Sequence, residues 1–385
     1  MHILLIVSWY KTKENPISGT FFEEQARALA RIGNTVTIYC PSFIPYTSKE
    51  KEVLTDYNDN GIRTISQSIK ALIPRSRKFN YKHLAKNAYK TLQHLGILSQ
   101  IDIVHAHTFR FAGIVALKIK QEVKINYVIT EHFTQLTVDD GITHKVDLNY
   151  AKTVYVNALK CFVVSNYYKK QIVAKLQLAE DLFEVLYNMV NKIFLNEKLH
   201  SKKKLIIFST GFLIKRKNHT LQLNSFKLLL RSNPAAILKI AGDGPEIESI
   251  KIKIKELGLN DNVVLLGSLN RVQLLKELKK ASLFIHTSLY ETFGVVLIEA
   301  LAMGIPIVVL DSGGPRDIVN INNGVLVKEN NATSFCKAMI DVINNIDDFN
   351  PEELRKDCKQ NYSEEVIISQ LENTYSTTKI FKKTH

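Results

Sequence analysis

Residues 282–317 read SLFIHTSLYETFGVVLIEALAMGIPIVVLDSGGPRD. Leu283 to His286 and Ile307 to Leu310 are short apolar runs rich in β-branched residues, each the length of a strand. The stretch from Phe293 to Met303 between them fits three helical turns and is stopped by Gly304 and Pro306. The order predicts one strand-helix-strand unit of a parallel sheet. A ligand of such a unit sits beyond the strand ends, where the helix N-terminus offers free backbone N–H groups to an anion. Phe293, Gly294 and Val295 are the expected source of those groups.

Glu299 stands out because its neighbours, Val295 to Ile298 and Ala300 to Ala302, are apolar all round the helix. A carboxylate there is costly unless something pairs with it. It lies about 7 to 8 Å along the axis from Gly294, an offset that lets the N-terminus hold a diphosphate while Glu299 accepts from the ribose hydroxyls of the same nucleotide. The alternative is a structural carboxylate satisfied by an internal Arg or by backbone.

Outward toward the C-terminus the same alternation continues. Leu205 to Ser209 is expected as a strand entering the loop Gly211-Phe212-Leu213-Ile214-Lys215-Arg216-Lys217-Asn218. Ala236 to Ala241 runs into Gly242-Asp243-Gly244-Pro245, and Val263 to Leu266 precedes Gly267 to Asn270, where Asn270 is placed to cap a helix from Arg271 to Lys280. Val325 to Val327 and helices Ala332 to Asn344 and Glu364 to Lys379 close the chain.

The N-terminal half opens in the same way, with a strand Ile3 to Val7, a helix Phe22 to Arg31 and a strand Val36 to Tyr39. Gly19, just before the helix, permits close approach of a ligand phosphate or serves as a turn glycine alone. Residues 41–80 hold Pro41, Pro45 and Pro74 and admit an excursion or one further strand near Ile62 to Ile65. Tyr81 to Leu95 is helical in pattern, with Lys82, Lys86 and Lys90 on one face and Leu84, Ala88, Leu92 and Leu95 on another; Arg75, Arg77 and Lys78 precede it. Such a basic amphipathic stretch is a solvated face or a seat on anionic lipid.

Ile101 to Val104 leads into His105-Ala106-His107, and Tyr127 to Thr130 into Glu131-His132. Residues at the C-terminal ends of parallel strands face a ligand crevice, so His107 is a candidate beside the reacting group, with a core histidine as the alternative. His105 fits the core better, and Glu131 and His132 are supporting candidates. The polar stretch Phe133 to Asn149, with Asp139, Asp140 and Gly141, is a natural place for ligand specificity. Strands Phe162 to Val164 and Val185 to Tyr187 complete this half, and the lysine-rich segment 188–204 reads as a linker.

The chain's 385 residues accommodate two domains. Hydrophobic content of 45% and charged content of 23% are those of an ordinary soluble protein. The net charge of +14 suits phosphorylated substrates, an anionic membrane or nucleic acid. The basic residues lack the grouping and aromatic platforms of a nucleic-acid module. Cys40, Cys161, Cys336 and Cys358 are far apart without metal spacing and are expected to be reduced. The opening MHILLIVSWY is too short in its apolar run for a signal peptide, and no stretch reaches membrane-span length. A cytoplasmic protein, free or peripheral on the inner face of the membrane, is expected.

Glu291, Phe293, Gly294, Glu299, Ala300, Gly304, Pro306 and the Gly313-Gly314 pair together resemble the E-x7-E signature of retaining nucleotide-sugar glycosyltransferases, family 4, with the GT-B fold. The resemblance extends over nearly the whole chain. It implies an α/β protein of two Rossmann-like doubly wound domains facing a central cleft. The acceptor-side domain would span 1–187 and the nucleotide-sugar domain 205–362, with a helix at 363–385 crossing back to the first. It also implies transfer of a hexose from a UDP- or GDP-linked sugar to a hydroxyl of a glycan or lipid-linked acceptor, with no cofactor and no metal. By the same resemblance Glu291 contacts the donor sugar, Glu299 the ribose, and His107 the transferring sugar. Lys217 neutralises the diphosphate; Gly19, Gly242 and the segment ending at Asn270 line the donor. The family's G-R-L is here Gly211-Phe212-Leu213, so its Arg is missing and Arg216 or Lys215 is left to replace the charge. Asp317 stands where Glu is usual. A sugar-nucleotide-binding partner of little activity and a GT-B epimerase or phosphorylase are the rival functions.

Overall fold

The computed structural model describes residues 1–12, 15, 18–74, 76–136, 144–199 and 204–382. Two compact units divide it, one of Met1–Tyr187 with the chain from Ile367 onward, the other Asn188–Val366.

The first unit is built on a sheet of β1 (His2–Val7), β2 (Thr35–Ile44), β3 (Leu54–Asp59), β4 (Ile62–Lys70), β5 (Ile103–His107), β6 (Tyr127–Glu131), β7 (Lys160–Val163) and β8 (Phe183–Val185). Its order is β3-β4-β2-β1-β5-β6-β7-β8, parallel throughout except for the edge pair β3–β4. The central strands are buried on both faces, as their unbroken apolar runs require. The expectation of at most one strand in 41–80 needs correction. A hairpin stands there, turning at Asn60-Gly61, where both residues have positive φ (50° and 90°) and Asp59 pairs with Ile62. Asn-Gly between two runs is the strongest short hairpin signal, and Leu54–Asp59 was hidden by its exposure.

The second unit carries β9 (Ile206–Thr210), β10 (Ile237–Ala241), β11 (Val263–Gly267), β12 (Leu283–His286), β13 (Ile307–Leu310) and β14 (Gly324–Val327) in the order β11-β10-β9-β12-β13-β14, all parallel. The helix between β12 and β13 spans Val295–Ala302. The stretch at 188–199 is integrated into this unit and is no free linker. Val190 N–H donates to Tyr362 O at 2.8 Å, Asn191 caps a turn of helix Lys192–Leu195, and Phe194 is wholly buried. Residues 200–203 lie outside the described residues.

The last helix, Glu364–Lys382, places Tyr375 in the first unit, where its hydroxyl meets His105 Nδ1 at 2.6 Å. Among the described residues no helix is long and apolar enough to cross a membrane.

Candidate functional site

In the second unit the strand order runs one way from β9 through β10 to β11 and the other way from β12 through β13 to β14. The switch point therefore lies between β9 and β12, where a doubly wound sheet opens a crevice at its carboxyl ends. Lys217 comes from the loop after β9, in a turn of 3-10 helix Lys215–Lys217; Glu291 comes from the loop after β12. The two loops are stitched together by Leu289 N–H to Arg216 O at 2.8 Å and Thr287 Oγ1 to Lys217 O at 2.9 Å. Lys217 Nζ donates to Glu291 Oε2 at 2.7 Å, Arg216 Nη1 lies 3.7 Å from the same oxygen, and His286 Nε2 lies 3.4 Å from it. Burial alone would raise the Glu291 pKa, but Lys217, His286 and Arg216 outweigh it and hold the carboxyl below its ordinary range. His286 is kept neutral by burial and by Lys217, with Glu291 pulling the other way. The crevice thus contains a fixed carboxylate paired with a fixed cation.

A second anchor sets the height of Glu291. Its N–H donates to Ser312 O at 2.9 Å and its carbonyl accepts from Gly314 N–H at 2.9 Å. The contact needs glycine, because a Cβ on Gly314 would fall 2.3 Å from the Thr292 carbonyl. Two residues on, Gly294 forms the N-cap of helix Val295–Ala302 with no side-chain cap. The Phe293 ring is core, packed edge-on to Tyr362, so what this residue can offer a ligand is its backbone.

Glu299 is buried one and a half turns into that helix and forms an ion pair with Arg271 through Oε1. Of the two readings open in the sequence, the paired carboxylate is therefore realised, but by a partly exposed arginine at a helix start. A ribose would share Glu299 with it. Asn270 does cap that helix, accepting from Gln273 N–H at 3.0 Å while Gln273 Oε1 accepts from Asn270 N–H at 2.9 Å. Its carbonyl also accepts from Leu274 N–H at 2.8 Å, so both backbone groups and the Oδ1 of Asn270 are spent on fixing the start of this helix. Gly242 packs under the β9 loop. Phe212 and Lys215 are exposed, whereas the Arg216 guanidinium donates to Tyr290 O at 2.5 Å beside Glu291. Arg216 is the side chain that brings a second cation to the carboxylate. Arg271 and His286 were missed in the sequence. His286 ends a parallel strand, the same signal that singled out His107.

The first unit has its own switch point between β1 and β5. Ser8, just past β1, bonds Thr108 Oγ1 at 2.7 Å and donates to His107 O at 3.1 Å. Thr108 and Phe111 hold positive φ of 74° and 62° without being glycine. Such strain costs about 1 to 3 kcal/mol each and tends to collect at functional turns. His107 is fully buried, its Nδ1 lies 3.1 Å from His132 Nε2, and its Nε2 has no hydrogen-bond partner among the described residues. Phe22, near the start of the helix that Gly19 caps, leans on the His107 ring at 4.8 Å. Burial pushes His132 and His105 down to about 3 and His107 well below its ordinary value, so all three are neutral at pH 7. His105 is the satisfied core histidine, held between Tyr375 OH and Thr130 Oγ1 at 2.6 and 2.8 Å.

Glu131 is no ligand group. It is fully buried and accepts from the N–H groups of Phe109, His132 and Phe133 and from Tyr155 OH, at 2.6 to 2.9 Å. Burial pushes its carboxyl up to about 7 against those donors. Both oxygens brace the turns after β5 and β6, which is a positioning task for the His107 and His132 backbone. The polar loop expected from Phe133 to Asn149 also ends early, since a helix Lys145–Asn157 begins with a His144–Asp147 capping box. Asp139, Asp140 and Gly141 lie outside the described residues.

Among the described residues no group of three or more His, Cys, Asp and Glu side chains converges as a metal-ligand set.

Two doubly wound units, each with polar side chains gathered at its switch point, define a Rossmann-like two-domain α/β protein. Comparison with known proteins identifies the family. Residues 18–192 match the profile described as Glycosyltransferase Family 4, and residues 191–365 that of Glycosyl transferases group 1. An uncharacterized glycosyltransferase of Methanocaldococcus jannaschii is 26% identical, covering 76% of this chain and 79% of its own. A putative teichuronic acid biosynthesis glycosyltransferase of Bacillus subtilis is 24% identical, covering 88% of each. The crystal structure of HepE from Anabaena, in complex with UDP and glucose, superimposes with a TM-score of 0.74 at 16% identity, covering 98% of this chain and 100% of that one. The chain belongs to the group 1 glycosyltransferases, and its fold is GT-B.

Proposed function

We propose that this glycosyltransferase moves a hexose from a UDP- or GDP-linked sugar to a hydroxyl of a glycan or lipid-linked acceptor, with retention of anomeric configuration and without a metal. The observation that carries the reading is the Lys217–Glu291 pair across the β9/β12 switch point, next to an uncapped helix start. The likeness to HepE, a protein solved with UDP and glucose, supports a nucleotide-sugar donor.

In this mechanism the diphosphate rests against the N–H groups around Val295 and beside Lys217 and Arg216. Those charges neutralise the leaving group, the task a divalent cation performs in other phosphate chemistry. Glu291, held ionised, receives the donor sugar, and Glu299 receives the ribose alongside Arg271. The acceptor oxygen attacks the anomeric carbon from the face of the departing diphosphate. The bond to phosphate breaks, the new glycosidic bond forms, and the hydroxyl proton passes to a diphosphate oxygen. His107, neutral and with Nε2 unpartnered among the described residues, is the first unit's candidate for a sugar-side role.

Phe212 in place of arginine is the observation that favours a binding partner of little activity. Arg216 beside Glu291 weighs against it. Nucleotide release from UDP- and GDP-sugars, with and without glycan and lipid-linked acceptors and with chelator present, tests the proposal. Acceptor-dependent release that survives chelation, giving a product with the donor's anomeric configuration by NMR, is expected. Donor binding without turnover would return the chain to the partner reading.

A further inference from the structure

Arg110 follows shortly after His107, inside the strained turn that leaves β5. Its carbonyl accepts from Thr108 Oγ1 at 3.1 Å and is met by Ser8 Oγ, so the turn fixes where the side chain starts. The guanidinium carbon lies 5.2 Å from the centre of the Phe111 ring and 5.6 Å from that of Phe133. Both rings are backed by others: Phe111 meets Phe43 and Tyr81 edge-on, and Phe133 meets Phe109 in the same way. Aromatic faces attract the cation but provide none of the in-plane acceptors that its N–H groups need. Its Nε is buried without a hydrogen-bond partner, although the residue as a whole stays partly exposed.

Among the described residues no anion answers this charge. Asp147, bonded to Tyr81, is taken up by Arg77, and Glu131 is taken up by the N–H groups of Phe109, His132 and Phe133 and by Tyr155 OH. His107 and His132 are neutral. A partly buried guanidinium without an anion is costly, and its planar fork fits a carboxylate or a phosphate edge-on.

We propose that Arg110 binds an oxyanion carried by the acceptor, a carboxylate or a phosphate, and so selects an anionic acceptor over a neutral one. The inference rests on the proposed transfer to a hydroxyl acceptor and uses no donor-side residue. A stacking role alone would give no preference between charged and neutral acceptors.

Calorimetric titration of the full chain with glucose, glucuronate and glucose 6-phosphate, with UDP present to occupy the donor side, tests it. Tighter binding of at least one anion than of glucose is expected, and which anion it is tells carboxylate from phosphate. Arg110→Gln should weaken that anion by about 10- to 100-fold, the range of one charge-assisted contact, and leave the glucose and UDP affinities as they were. Arg110→Lys keeps the charge without the fork and should fall between. If Arg110→Gln fails to fold, the parent's preference and Arg110→Lys still decide. Equal binding of the three sugars, or an anion preference that survives Arg110→Gln, overturns the proposal. Transfer assays separate the two readings. Nucleotide release stimulated equally by neutral and anionic acceptors overturns the Arg110 assignment alone. Arg110-dependent anion binding with no acceptor-dependent release from any UDP- or GDP-sugar overturns the assignment to an acceptor together with the transferase reading.

Discussion

Lys217→Ala is expected to lower kcat by about 100- to 1000-fold, the usual loss when one preorganised charge is withdrawn from a developing anion. The substitution also takes from Glu291 the cation that holds it ionised. Burial raises that carboxyl's pKa, and Lys217 is the largest influence set against it, ahead of His286 and Arg216. Arg216 remains 3.7 Å away, so part of the charge survives and the loss should not be total. Glu291→Gln keeps the shape but leaves the Lys217 ammonium without its carboxylate, and should lower kcat with little change in nucleotide affinity. Glu299→Gln should do the reverse and weaken nucleotide binding. Steady-state kinetics beside calorimetric titration with UDP and GDP separate the cases. Equal, small effects at Lys217 and Glu291 would remove the basis for both roles.

Gly242→Ala should cost about 2 to 5 kcal/mol of stability and most of the activity together. Gly242 holds φ at +141°, and an added Cβ would fall 1.9 Å from Gly211 O and 3.0 Å from Gly211 C, both backbone. Left-handed backbone on a residue with a side chain costs about 1 to 3 kcal/mol, and forced overpacking costs about as much again. Against a usual total of about 5 to 15 kcal/mol this is a large share. The clash also pushes the loop that starts at Gly211 and carries Lys217. Gly33→Ala supplies the control, since Gly33 has φ +91° but no atom within 4 Å of an added Cβ. It should show the strain alone and full activity. Urea melts of both variants and kcat/KM measure the difference; a Gly242→Ala protein as stable and active as the parent would mean that the β9 loop yields without cost.

Which parts of this were visible in the sequence depends on whether the signal was local. The β12-helix-β13 unit is spelled by its own residues, because strand period, Gly294 and the Gly304–Pro306 stop all act within one stretch. The two doubly wound sheets follow from repeating that spelling. The edge hairpin escaped because β3 is exposed and carries no apolar alternation, although Asn60-Gly61 marked its turn. The segment at 188–199 looked like a linker because its anchoring comes from Phe194 and from a backbone bond to distant Tyr362. Partner choice is likewise tertiary. Nothing in the residues around Glu131 tells that its donors include the turn after β5 and a helical tyrosine, Tyr155, nor around Glu299 that Arg271, 28 positions earlier, reaches it. A residue's place at a strand end could be inferred from sequence; whether its polar atoms are already occupied could not.

A structure of the protein with bound UDP or GDP addresses the central claim most directly. The diphosphate is predicted within hydrogen-bond reach of the Val295 N–H and the Lys217 ammonium, with the ribose hydroxyls on the Glu299 carboxylate. Nucleotide density away from the start of that helix, or a ribose turned from Glu299 while Arg271 keeps its pair, would contradict it.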